Sequence, residues 1–438
     1  MSLPTRRLAC RSMVLLTFAA AAAAALPLPL RAQAPPAERG AELSVALVTM
    51  GPGKLVWERF GHNAILIRDS VRGTERSFNY GIFDFAQENF ILRFVQGRML
   101  YYMVGNDARR ELAAYVRGNR SVWVQELDLT PAQRADLRDF LEWNELPENR
   151  DYRYDYYRDN CSTRVRDAID RVIGGEIATQ TAGAPAGTTY RFHTRRLVAS
   201  DPLTYTGLEL GLGSPVDRPI TRWEEMFLPL AFREQVRTIT VAGPDGARRP
   251  LVKSEATLYT STTPEARNIP PTWWPYYLMA GILIGATLLM LGERLGESRG
   301  ARLAFGIVGG AWELLAGLAG VLLAGLLFTD HAAAHANENL FQANPLSVAL
   351  AVLVPLMAIR RGRLSRLTMV LALAVGLIGV AGVVFKLVPG VRQVNGEIIA
   401  LALPIHLAVA VTAWRLSRHA TAQATAHATA HATARGSA

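Results

Sequence analysis

A chain of 438 residues, half of them hydrophobic, with a formal charge of +10 and only two cysteines, is long enough for more than one folded unit. Two cysteines exclude a disulfide-stapled scaffold. The positive charge is not that of a nucleic-acid binder, because much of it sits in short loops between apolar segments, where arginine reports membrane orientation.

In chain order, residues 1–34 read as an export signal. Arg6, Arg7 and Arg11 precede the apolar run MVLLTFAAAAAAALPLPL, and the segment ends in small residues at Ala32 and Ala34. Cleavage there removes Cys10 and leaves Cys161 as the sole cysteine, so the mature chain has no partner for a disulfide.

Residues 35–270 form the first predicted domain. Alternating apolar residues predict strands at LSVALVTM, HNAILIRD, RSFNYGI, RMLYYMVG and SVWVQELDL. Thr130 as N-cap and Pro131 in the first turn predict a helix over TPAQRADLRDFLEWNEL. CSTRVRDAIDRVI brings Val165, Ile169 and Val172 onto one face, which predicts a helix opening at Cys161. Residues 179–188, rich in Gly, Thr and Ala with a Pro, read as a mobile loop. Residues 235–259 read as a hairpin turning at Pro244, Asp245 and Gly246. The fold class is α+β.

Residues 271–416 are different in kind. Apolar stretches at 273–291, 303–328, 345–359, 367–388 and 397–416 approach the ~20 residues a bilayer requires, so five transmembrane helices are expected. The third is short and needs residues from Leu340 onward to span. Arg294, Arg299 and Arg302 follow the first; Arg360, Arg361, Arg363 and Arg366 follow the third; Arg415 and Arg418 follow the fifth. Segment 329–345 carries no Lys or Arg. The arginine-rich loops are therefore expected in the cytoplasm and the first domain outside, as the export signal also requires. The repetitive tail, 417–438, reads as disordered.

The chemistry centres on Cys161. A thiol at a helix N-terminus gains from the dipole and free amides, which favour the thiolate and can also hold an oxyanion. His62, opening an apolar strand, is the candidate base, and Asn79 on the next strand the candidate orienting group. Trp123, Tyr154 and Tyr156 are expected to wall the site. Each has a plainer alternative: Cys161 as a buried small hydrophobe, His62 as a satisfied half-buried histidine, Asn79 as a strand-end cap. Arg164 and Arg166 suit a lipid phosphate or surface ion pairs with Asp167 or Asp170. Asp330, His331 and His335 are too few for a metal set and read as a loop touching the first domain. Glu313 lies deep in the second apolar stretch, where an ionisable group generally has a purpose.

Four blocks, VTMGPGKLVWERFGHNAILIRD, SFNYGIFDF, DYRYDYYRDNCSTRVRDAI and WEEMFLPL, resemble the Lnb N-terminal periplasmic domain family over roughly residues 43–235. FTDHAAAHANENLFQANPLS is similar to the membrane part that accompanies that domain. The resemblance implies a circularly permuted, NlpC-like papain fold with His before Cys, an order shared with lecithin:retinol acyltransferase. It also implies acyl transfer at the inner membrane from a phospholipid to a lipoprotein N-terminus or another envelope acceptor. The motif matches carry Cys161 over as nucleophile and His62 as base. Asn79 falls in the matching NYG block, and Arg164, Tyr156 and Asn160, around the thiol, are the candidate substrate contacts. Neither cofactor, metal nor nucleic acid is expected. The rivals are a cell-wall peptide hydrolase using the same Cys and His, and a non-catalytic envelope-assembly module with Cys161 merely buried.

Overall fold

A computed structural model describes residues 38–243, 245–360 and 365–436. The expected export signal, 1–34, lies outside the described residues, as does Pro244 of the expected hairpin turn.

The first domain is built on one antiparallel sheet. In chain order its elements are β1 (Leu43–Met50), β2 (His62–Asp69), β3 (Thr74–Ile82), α1 (Phe90–Gln96), β4 (Leu100–Asp107), α2 (Ala108–Arg117), β5 (Val122–Leu127), α3 (Pro131–Glu145), β6 (Asp151–Arg153), α4 (Cys161–Val172), α5 (Tyr190–Val198), α6 (Pro202–Gly211), α7 (Pro229–Val236) and β7 (Val252–Tyr259). The strand order is β7-β5-β1-β2-β3-β4-β6, and every neighbouring pair is antiparallel.

Side chains alternate across a strand, and both faces of this sheet are covered. Leu43, Val45, Leu47, Ile65, Ile67 and Phe78 face α3, α4 and α7. Ala46, Val48, Met50, Ala64 and Leu66 face α2 and its Leu112 and Tyr115. That is why β1 is apolar almost throughout rather than at alternate positions. Thr130 caps α3 through a capping box with Gln133, and Pro131 opens it. The expected loop at 179–188 is instead partly ordered: a helix over Glu176–Thr181 and a strand Pro185–Thr189 paired with Pro219–Thr221. The expected 235–259 hairpin is a small ribbon, Thr240–Ala242 with Arg248–Pro250, while the rest of that segment joins the main sheet as β7.

The second part comprises α8 (Trp274–Glu293), α9 (Arg299–Leu326), α10 (Ser347–Ile359), α11 (Ser365–Phe385) and α12 (Gly396–Gly436). Among the described residues four of these, α10 being the exception, are long and apolar enough to cross a membrane. The third expected span is the short one: the 13 residues of α10 extend about 20 Å at the α-helical rise against a ~30 Å hydrocarbon core. The residues just before it bond to neighbouring elements. Asn339 Nδ2 donates to the carbonyls of Glu209 (2.8 Å) and Leu210 (3.0 Å), and Gln342 Nε2 donates to Gly379 O (2.9 Å). Helix α12 continues to Gly436, through the tail expected to be disordered. Alanine recurs there at almost every second position, and it is the strongest helix former.

The two parts are joined by specific bonds. Asn337 Nδ2 donates to Leu210 O (2.9 Å) and Gly211 O (3.0 Å), and Gln393 Nε2 donates to Leu212 O (3.1 Å). These cap the carbonyls left without partners where α6 ends. Glu397, in the first turn of α12, accepts from Arg195 Nη2 (2.6 Å) and Tyr205 Oη (3.1 Å). Within the helices, Glu313 faces a neighbouring helix: its Oε1 lies 3.2 Å from Nδ1 of His406 on α12, and both side chains are buried.

Candidate active site

Two glycines set the geometry. Gly61, immediately before β2, has φ +85° and no room for a side chain, since a Cβ would lie 2.8 Å from Met50 O; it delivers His62 to the start of the strand. Gly81 has φ +86° and sits where the β3–β4 register shifts. A Cβ there would lie 3.1 Å from Cys161 Cβ and 3.6 Å from Tyr154. Only glycine lets the N-terminus of α4 approach β3 this closely.

Cys161 opens α4, and Asn160 caps it. The Asn160 side-chain oxygen accepts from the amides of Ser162 (2.9 Å) and Thr163 (3.0 Å), and its Nδ2 donates to Tyr156 O (3.0 Å) and Phe227 O (2.9 Å). The segments carrying the thiol and the histidine abut. Ser162 Oγ donates to Asn63 Oδ1 at 2.8 Å, linking the residue after Cys161 to the residue after His62. The backbone amides of Asn63, Ser162 and Cys161 itself face the sulfur, and each favours the thiolate.

His62 Nε2 lies 2.9 Å from Asn79 Oδ1. Asn79 is oriented in turn, donating from Nδ2 to Glu111 Oε2 (2.9 Å) and Ser77 O (3.0 Å). With its amide nitrogen committed to acceptors, Asn79 presents an oxygen to the imidazole. Nε2 therefore carries the proton, and Nδ1 is the basic nitrogen. Among the described residues, Nδ1 has no hydrogen-bond partner. The ring lies nearly parallel to that of Tyr115 (16°, centroids 6.4 Å apart). Arg120, buried, spans the same corner: Nε donates to Gly51 O (2.9 Å), and the guanidinium sits 4.7 Å over the Tyr115 ring.

At rest the pair is neutral. Burial pushes the Cys161 thiol up to about 11, outweighing the amides and the positive Arg120. Burial likewise pushes His62 down to about 4, against the raising effect of Asn79. The expected lowering of the thiol by the helix terminus is thus present but smaller than the desolvation of its anion.

The Lnb N-terminal periplasmic domain matches over residues 38–200 and the Lnb transmembrane domain over 275–419, together well over half of the chain. The chain belongs to the Lnb family. No curated protein and no solved structure matches it. In this Lnb chain His62 bonds Asn79, the amide of the next residue, Asn63, faces the Cys161 sulfur, and all of these residues lie inside the matched periplasmic domain.

The other sequence-predicted residues fare differently. Arg164 is not free for substrate: it pairs with Asp159 (2.5 and 2.8 Å) and lies 3.7 Å over the Tyr152 ring. Arg166 pairs with Asp167 and donates to Trp223 O (2.6 Å). Asn160 is consumed as the α4 cap, leaving no polar atom for a ligand. Tyr156 is half exposed and meets Tyr154 edge-on at 5.7 Å, so it remains a wall residue open to solvent. Tyr154 does line the thiol, whereas the Trp123 ring lies under the Arg233 guanidinium, 4.4 Å away. Asp330 pairs with Arg98 and Arg153, and among the described residues no group of three or more His, Cys, Asp or Glu is placed to hold a metal. Sequence reasoning missed Glu111, Tyr115 and Arg120, which come from α2 and the approach to β5 and carry no motif. Asn63 and Ser162, adjacent to the two picked residues, were within reach.

Proposed function

We propose that this protein is a membrane-anchored thiol acyltransferase of permuted papain-like type, with Cys161 as nucleophile, His62 as base and Asn79 as the group orienting His62. The backbone amides facing one buried thiol, one of them from the residue after His62, which itself heads the His62–Asn79–Glu111 series, carry the reading. The donor is a phospholipid of the inner membrane, and the acceptor is an amine of an envelope molecule, a lipoprotein N-terminus. The catalytic domain lies in the periplasm and the C-terminal tail in the cytoplasm, with α10 and the segment before it making the fifth crossing that this arrangement needs.

Because thiol and imidazole are both neutral at rest, the proton moves as attack proceeds. Cys161 Sγ bonds to the ester carbonyl carbon while its proton passes to His62 Nδ1. The oxyanion so formed is held by the amides of Asn63 and Ser162. The carbon–oxygen bond breaks, the departing lysophospholipid takes the proton from His62, and a thioester remains on Cys161. An amine then attacks and gives its proton to His62. The carbon–sulfur bond breaks, the proton returns to sulfur, and an amide leaves. Burial suits this course, since it keeps water from the thioester.

The test is intact-mass spectrometry of the full chain after incubation with phospholipid. An acyl adduct released by hydroxylamine and mapped to Cys161 is the expected result. An adduct that survives in Cys161→Ser, or one mapped elsewhere, removes the mechanism. Release of peptide from murein in place of acyl loading assigns the site to hydrolysis.

A further inference from the structure

Helix α1 and the turn before it leave large apolar side chains in the open. Phe85 is 68% exposed, Ile91 71%, Leu92 54%, Phe94 51% and Val95 55%. Residues 91, 92, 94 and 95 share one face of the helix, which makes a contiguous patch of a kind soluble surfaces seldom carry.

The patch is fixed to the end of a membrane helix. The Asp330 amide donates to Gln96 O (2.8 Å), His331 Nε2 lies 2.9 Å from Phe94 O, and Arg98 pairs with Asp330 at 2.7 Å. Gly97 admits this contact, since a Cβ there would lie 2.8 Å from His331 N. Just before Asp330, α9 ends at Leu326 and is followed by Phe328, 90% exposed. The apolar surface of the membrane helix therefore continues directly onto α1.

A series of aromatic rings leads inward from the patch. Phe90 and Phe85 lie 5.3 Å apart, Phe85 and Phe83 4.8 Å, Phe83 and Tyr101 5.4 Å, and Tyr101 stacks on Tyr154 at 4.0 Å. Tyr154 borders Gly81 beside Cys161.

We propose that α1 is seated in the outer leaflet of the bilayer, and that the rings from Phe85 to Tyr154 form the side entrance by which a lipid acyl chain reaches Cys161. The seating stands on the exposed face and its attachment to α9; the nature of what travels rests on the acyl-transfer reading. An apolar face at headgroup depth gains the burial it lacks in water, and the ring series offers the chain an apolar route without leaving the lipid phase.

The full chain, carrying Cys10→Ser and Cys161→Ser, is placed in nanodiscs of phosphatidylethanolamine and phosphatidylglycerol with a nitroxide at Ile91→Cys, Phe94→Cys or Glu88→Cys. Collision with oxygen and with a polar nickel chelate then reports depth. Positions 91 and 94 are expected to favour oxygen, and 88 the chelate. Chelate access at 91 and 94 equal to that at 88 overturns the seating, as does shielding of both positions from either collider, the result if a second copy or another protein covers the face. In the otherwise unaltered chain, Leu92→Glu with Phe94→Glu is expected to lower loading of Cys161 from vesicle lipid by about a hundredfold or more, the scale of two lost apolar burials, with loading from a soluble short-chain nitrophenyl ester unchanged. Equal losses from both donors overturn the entrance. If the parent chain loads from neither donor, the acyl-transfer reading fails by itself, and the depth measurement still decides the seating.

Discussion

His62 and His193 occupy the same domain, and each has a polar neighbour 2.9 Å from Nε2, yet they do different things. His193 Nδ1 accepts from Arg196 Nε (3.1 Å), and its Nε2 meets Glu225 Oε1 (3.0 Å) as well as Thr188. An arginine only donates, so the proton is held on Nε2 and both nitrogens are spent on neighbours. His62 has its Nε2 fixed by a neutral amide and its basic nitrogen uncommitted, beside the segment that bears the thiol. A buried histidine becomes a base through what its second nitrogen lacks.

The largest expected effect sharpens that contrast. Cys161→Ser should abolish the acyl adduct, and His62→Ala should slow its formation by about a thousandfold, within the range of general-base losses. His193→Gln should leave the rate near wild type while lowering the thermal midpoint. Comparable rate losses at both histidines would erase the distinction. Next in size, Asn79→Ala frees the imidazole to turn and should cost about a hundredfold, with Glu111→Gln milder because Ser77 still holds Asn79; both are read from single-turnover loading.

Two smaller effects follow from charge. Alkylation of Cys161 by iodoacetamide should rise by about tenfold per pH unit between pH 7 and 9, because only the thiolate reacts and burial holds the thiol at about 11. A rate flat across that range would mean a preformed thiolate–imidazolium pair. In stability, His62 folds with its pKa lowered from 6.5 to about 4, so the unfolded chain binds the extra proton first. Its contribution is complete above pH 6.5 and is lost as pH falls toward 4; a pH series of thermal midpoints should show that slope, and His62→Gln should lack it. Asn160→Ala should cost about 1–2 kcal/mol of stability through the lost α4 cap, seen as a lower midpoint with the Cys161 adduct still forming.

The strands β1 to β5 were legible because each alternates or is apolar between clear turns. VKSEATLY was expected only as the second arm of a local hairpin; its place as β7 beside β5 was not legible, because it is a mostly exposed edge whose polar residues face solvent. Composition made residues 345–359 look like the core of a fifth span; 13 residues there are helical, and Asn339 and Gln342 just before them bond to carbonyls of other elements, which the sequence did not show. Cys161 at a helix start, and His62 and Asn79 on neighbouring strands, were legible as placements. Arg164 and Asn160 show the limit of that reasoning: closeness in sequence to a nucleophile says nothing of where a side chain is already tied. Glu111 and Arg120 arrive only through the packing of α2 and β5 on the sheet.

The seam at the end of α6 has a consequence for how the molecule is taken apart. Carbonyls of Glu209, Leu210, Gly211 and Leu212 are closed by amides that belong to residues 337, 339 and 393. Severing the chain after residue 270 strips those lids away and leaves Arg195 without its Glu397 counterpart. Each orphaned polar group that stays buried costs ~1–3 kcal/mol, a sum comparable to the whole margin of a domain. The first domain is less a head on a stalk than one jaw of a clamp, joined to the membrane helices by direct bonds rather than by a tether.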